Sequence, residues 1–192
     1  MSSVSFDISM SLDGYIAAPN RRPEEPLGDN GERLHNWAFS GDAVGREVLT
    51  RGVESSGAVI CGRRTYDDSI RFWGPDGPTG PARLPVFVVS HDAPADVPEG
   101  GVYHFVSGGI ERALAEAKAK AGDRNVSVMG GADIGQQFIR IGLLDELSIH
   151  LVPVMFGGGT RMFENLGEQL RELEVIEVVP GSTATHLRYR FR

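Results

Sequence analysis

Two glycine-bearing junctions carry the residue types that hold phosphate. In "VMGGADIGQQF", Val128 to Phe138, an apolar β-like run ends in Gly130 and Gly131 and a helix-like pattern follows. Glycines permit a tight turn and close approach of backbone to a ligand. The first N–H groups of the next helix, from Ala132 through Asp133 and Ile134 to Gly135, carry a partial positive charge. Helix–strand packing also selects glycine, so the junction alone is a weak signal and reads more readily as a corner than as a phosphate cradle. It lacks the G-x-G-x-x-G spacing and comes late in the chain, unlike the usual dinucleotide fingerprint. Asp133 is expected to cap the helix and point away from any anion. In "VICGRRTYD" Gly62 closes an apolar run, and Arg63, Arg64 and Thr65 open the next helix. Guanidinium groups bind phosphate bidentately and a threonine hydroxyl adds a donor. The alternative is a surface arginine pair beside an acidic helix. Two such junctions at one sheet edge suffice to bind two ends of a phosphorylated ligand.

Proton chemistry has fewer candidates. "VSFDISMS" from Val4 alternates apolar and polar residues, which puts Asp7 on one face with Ser9. An aspartate in a strand expected to be buried needs a partner or a purpose, so Asp7 is either an acid–base group or a hydrogen-bonded structural residue. Asp42 and Glu47 are the other acids in reach of a cleft, and His35 is a weaker one. Trp37, in "LHNW", either stacks on a planar ring or plugs the core beneath its loop. "FGGGT", Phe156 to Thr160, lacks the lysine of a P-loop and reads as a turn. The single cysteine, Cys61, lies in an apolar run and reads as a buried, inert thiol.

The elements that must position these residues alternate in type. Strand Val4–Ser11 is followed by a Pro/Gly-punctuated loop, 19–41, a candidate rim or lid. A helix capped by Asp42 then runs to about Val53 and leads into the buried strand "AVICG". "RRTYDDSIRF" is a short helix, "PVFVVS" a strand ending at Ser90 and His91, and "GVYHFV" another strand. "GGIERALAEAKAKAG" gives a helix from Gly109 to Ala121 stopped by Gly122. Strand "VSVM", helix 133–141 and strand "ELSIHLVPV" follow, and "ELEVIEVVP" with "ATHLRYRF" closes the chain as an antiparallel hairpin. Alternating strands and helices predict an α/β domain, a mostly parallel sheet covered on both faces with an antiparallel edge. Ligands in such sheets sit at the carboxyl ends of the strands, where Gly62, Ser90 and Gly130 all fall.

The chain of 192 residues, 41% hydrophobic, suits one domain spanning 1–192. Its formal net charge of −7 and lack of a long basic cluster argue against nucleic acid or an anionic membrane as partner. One cysteine excludes an intramolecular disulfide and a cysteine-based zinc cage. The beginning has neither signal-peptide nor membrane-span character, which fits the cytoplasm.

"SLDGYIA", "VICGRRTYD", "VFVVS", "VMGGADIGQQFI" and "LLDELSIHLVPVMFGGGTRMF", in this order and spacing, resemble the dihydrofolate reductase superfamily. More narrowly they resemble its bacterial branch related to the reductase domain of riboflavin biosynthesis. The resemblance implies an eight-stranded, mostly parallel sheet flanked by helices, with NADPH extended across the strand ends. It assigns the pyrophosphate to Gly130, Gly131 and the backbone of Ala132 to Gly135, with Thr65 opposite. The adenosine 2′-phosphate falls to Arg63 and Arg64 with Ser90 and His91 nearby, the nicotinamide carboxamide to Ser9, Ile16 and Ala17, and Gly62 also belongs to the cofactor site. Asp133 departs from the basic residue that some relatives place there. The resemblance implies a homodimer and a reductase of a small heterocycle, pterin-like or riboflavin-precursor-like, with Asp7 and Trp37 on the catalytic side. A cofactor-binding module without efficient turnover and the 5-amino-6-(5-phosphoribosylamino)uracil reductase of riboflavin synthesis are the alternatives.

Overall fold

The computed structural model describes residues 2–192. Alternation in β1 (Val4–Ser11) sends Phe6 to one face and Asp7 to the other. The same parity holds in β3 (Ser56–Gly62) and β6 (Asn125–Met129). Phe6 lies level with Val128, and Val128 with Ile60, while Asp7 lies level with Met129, and Met129 with Cys61. The Phe6 face buries against α4 (Gly109–Ala121) and α5 (Ala132–Arg140). The opposite face packs Val59, Cys61, Val86 and Val88 against Tyr66 of α3 (Arg63–Trp73). Full burial of side chains such as Phe6 and Phe138 stabilises by about 1.5–3 kcal/mol each. Cys61 belongs to this interior, and burial pushes its thiol up to about 12, so it is inert as expected.

With β4 (Val86–Val89), β5 (Tyr103–Val106), β7 (Glu146–Val152), β9 (Leu173–Pro180) and β10 (Thr185–Phe191), these strands form one eight-stranded sheet in the order β5-β4-β3-β6-β1-β7-β10-β9. From β5 to β7 every pairing is parallel, and β10 returns antiparallel to β7 and pairs with β9 as the expected hairpin. The fold class is therefore that expected, helices on both faces included. A small second sheet, β2 (Tyr15–Ala17) with β8 (Thr160–Arg161), was not legible because its strands are only three and two residues long.

The segment 19–41 differs from a plain loop. Its second half forms a 3-10 turn, Gly31–His35, and one turn of helix, α1 (Asn36–Phe39). Leu34 and Trp37, three residues apart, both point inward and pin it to the sheet. The next helix, α2 (Ala43–Ser55), starts where expected, with the Asp42 carboxylate accepting the Val44 N–H at 3.2 Å. Among the described residues no helix is long and apolar enough to cross a membrane.

Candidate functional site

Both phosphate-type junctions open at the carboxyl edge of the sheet, and they touch. Helices α3 and α5 begin directly after β3 and after the glycine pair behind β6, and both have glycine N-caps, Gly62 and Gly131, with no capping side chain. Their first N–H groups are left for a ligand, at the positive ends of two helix dipoles. Thr65 bridges the two starts, its Oγ1 accepting the Gly131 N–H at 3.1 Å. Gly130 has φ +110°, a conformation that disfavours any side chain, and a Cβ there would lie 2.7 Å from Thr65 Cγ2 and closer still to Oγ1. Only glycine lets the threonine approach.

Asp133 does not cap α5. Gly131 holds the extended cap conformation, and Asp133 sits inside the first turn, exposed, accepting a hydrogen bond from Gln137 Nε2 at 2.8 Å. Ala132, Ile134 and Gly135 are buried beneath it. Arg63 reaches across to the end of β4. Its guanidinium contacts Asp67 at 2.8 Å, the Asp92 carbonyl at 2.9 Å and Ser90 Oγ at 3.3 Å. Arg64 and His91 are exposed beside it. Ile16 and Ala17, in β2, are buried, with the Phe156–Gly159 turn closed over them through hydrogen bonds from the Phe156 and Gly157 N–H groups to Asp13. An open hollow of about 620 Å³ continues from this edge, between Pro19, Asn30, Arg33 and Phe156.

Asp7 forms the floor. It is level with Met129, the residue before the glycine pair, so floor and cradle adjoin. Although β1 is an interior strand, 47% of the Asp7 side chain is open, which in the middle of a sheet means a crevice above it. His150 Nε2 lies 3.1 Å and 3.2 Å from its two carboxylate oxygens. Burial pushes the Asp7 carboxyl up, but the charge and hydrogen bond of His150, with His186 and His35 behind it, outweigh burial and hold it below the usual carboxylate value.

Behind Asp7 lies a row of side chains from three neighbouring strands. Ser9, His150 and His186 are consecutive cross-strand partners on β1, β7 and β10, all buried. The two Nδ1 atoms of the histidines are 2.8 Å apart. Trp37, 4% exposed, covers them, its ring centroid 4.1 Å from that of His150 and 4.9 Å from that of His186, edge on. Its Nε1–H is given to Ser9 Oγ at 2.9 Å. Trp37 is thus the plug beneath its loop, with its ring on the imidazoles and not in the crevice. Asp42 caps α2 and binds Ser182, and Glu47 is exposed on α2, so neither reaches the floor that Asp7 occupies.

The sequence reading missed His150 and His186. Both fall on polar positions of their strands, but only the β1-β7-β10 register aligns them with Ser9, and that register joins residues more than 140 apart for the first pair.

The sequence profile of the RibD C-terminal domain matches residues 2–187. A Bacillus subtilis (strain 168) protein, YwjB, described as uncharacterised, is 25% identical over 164 residues, 85% of this chain and 84% of its own. A solved structure from Shewanella sp. PV-4, named as a riboflavin biosynthesis protein, superposes with TM-score 0.72 and 28% identity over 100% of this chain and 99% of its own. Dihydrofolate reductase from Enterococcus faecalis, solved with NADP(H), superposes with TM-score 0.62 over 99% of this chain and 96% of its own. At 16% identity that likeness concerns the fold.

Proposed function

The chain belongs to the RibD C-terminal domain family, and from that premise we propose that it is an NADPH-dependent reductase delivering hydride to a C=N or C=O bond of a small nitrogen heterocycle. One observation carries the proposal. The uncapped starts of α3 and α5, clasped by Thr65 over Gly130, make an anion cradle that adjoins a carboxylate on the floor of a crevice.

Bound NADPH would supply the hydride, and the protein would supply position and a proton. The free N–H groups of Ala132, Asp133 and Ile134 and those of the α3 start would hold the pyrophosphate, with Gly130, Gly131 and Gly135 allowing its close approach. Arg63, Arg64, Ser90 and His91 would meet the 2′-phosphate, and Ser9, Ile16 and Ala17 would flank the nicotinamide. Asp7 would anchor ring N–H groups and pass a proton toward the reduced bond. The test is NADPH consumption against a panel of pterins and pyrimidines, with and without a ribose phosphate. Turnover of a member supports the reading, and NADPH binding without any turnover replaces it with a cofactor-binding module.

Cofactor choice gives a sharper check. Arg63→Ala removes a charge-assisted contact to the 2′-phosphate, a loss of about 1.5–3 kcal/mol. NADPH affinity is expected to fall about 10- to 100-fold by titration calorimetry, with NADH affinity little changed. Equal weakening of both would reject the assignment.

We also propose a homodimer. The outer strand β9 exposes Val175 and Val178, 60% and 55%, at an edge that has no strand beside it among the described residues. Light scattering at micromolar concentration is expected to give twice the chain mass, and a monomer mass would refute it.

A further inference from the structure

The two buried histidines have more order than a structural role for Asp7 needs. If Asp7 is ionised, it accepts from His150 Nε2–H. With both rings neutral, His150 Nδ1 is then a bare acceptor and accepts a hydrogen bond from His186 Nδ1–H, 2.8 Å away. That leaves His186 Nε2 as a bare nitrogen, which is buried and has no partner among the described residues. The donors and acceptors along the row are thereby fixed by two conditions, an ionised Asp7 and a neutral histidine pair. The far end lies beside Gly181 and Asp42. A Cβ on Gly181 would lie 2.9 Å from the Ala184 carbonyl oxygen, 3.3 Å from Asp42 Oδ2 and 3.4 Å from His186 Nε2, so the Gly181 backbone packs directly against the ring nitrogen, with a half-buried carboxylate at its side.

We propose that His150 and His186 relay a proton to Asp7 beneath Trp37, from the Gly181 side, while ligands cover the crevice. The inference rests on the reductase reading. A proton reaching His186 Nε2 lets the Nδ1 proton of His186 pass to His150 Nδ1, and the Nε2 proton of His150 pass to an Asp7 oxygen. One proton enters and one reaches the carboxyl. Asp7 then gives it to the substrate atom next to the carbon that takes hydride from a bound reduced nicotinamide, which leaves oxidised. When product departs, water in the open crevice returns a proton to His150 Nε2, His150 Nδ1–H passes its proton to His186 Nδ1, and one leaves at His186 Nε2. The starting tautomers are restored, with one proton consumed per turnover. Asp7, at 47% exposure, is open to water only while the crevice is uncovered, which gives the covered state a need for this route. The charged groups around the row are His35 of the 3-10 turn, Asp42 before α2 and Arg51 of α2. His35 and Arg51 oppose charge on the pair, while Asp7 and Asp42 favour it.

Nitrogen-15 NMR of the imidazoles in the full chain tests the proton arrangement without needing turnover. His150 is expected as the Nε2–H tautomer and His186 as the Nδ1–H tautomer, joined by one Nδ1–H···Nδ1 hydrogen bond. Resting His150 with its proton on Nδ1, or His186 with its proton on Nε2, would overturn the relay. His186→Phe keeps the ring volume under Trp37. It is expected to leave NADPH affinity and KM unchanged and to lower kcat at least about 10-fold, less than the 10²–10⁴ of losing the acid itself, with the loss growing as pH rises. Asp42→Asn, which keeps the helix cap, is expected to slow turnover in the same sense by a smaller factor. Unchanged kcat in His186→Phe rejects the relay. If wild-type protein fails to bind NADPH, the reductase reading falls by that result alone, and the NMR still judges the proton arrangement.

Discussion

Asp7→Asn is expected to leave NADPH affinity little changed and to lower turnover of any reduced heterocycle by roughly 10²-fold or more, the scale of a lost acid–base group. The asparagine keeps the shape of the side chain and its place on β1, so the cradle at Gly130 and Gly131 is untouched. What disappears is the charge to which His150 Nε2 is bound, and with it the group proposed to anchor ring N–H groups. Steady-state rates with NADPH binding measured in parallel make the check. A variant that turns over as fast as wild type would make Asp7 structural and would move the proton source to the solvent.

The second large effect lies in the cradle. Gly130→Ala places a side chain at φ +110° and against Thr65, and each fault costs about 1–3 kcal/mol. The sum, on the order of 2–6 kcal/mol, is expected as a lowered denaturation midpoint, together with loss of NADPH binding as Thr65 is driven off the Gly131 N–H. Gly131→Ala is the control. Its φ is ordinary, and a Cβ there would be 3.9 Å from Thr65 Oγ1, so it should cost far less stability. Equal stability of the two variants would reject the steric account.

Periodicity made the sheet legible. The polar face Ser5, Asp7, Ser9, Ser11 and the apolar runs ending at Gly62, Ser90 and Gly130 carry their parity in a few neighbouring residues. The junction at Gly130 was legible in kind, since glycine before a helix start has few other uses, but its contact with Thr65 depends on β3 lying beside β6. The histidine row was not legible for the same reason on a larger scale. No local pattern tells His150 that Ser9 and His186 are its neighbours. Asp133 was misread because a capping residue type stood two positions inside the helix, where the extended Gly131 had already taken the cap.

The strand order carries a kinetic consequence. Of the two sheet neighbours of β1, the first begins to pair at Val126 and the second at Glu146, so the first strand made is among the last to be enclosed. At ribosomal rates that interval is on the order of ten seconds. The polypeptide must carry an apolar, unpaired strand through it, and the β3-β4-β5 half can pair first. Pairings of such high sequence separation fold slowly. Asp7 therefore acquires its chemical surroundings only once β7 has been made, more than 130 residues later, and a nascent chain stalled before β7 would hold a finished half-sheet without His150 beside Asp7.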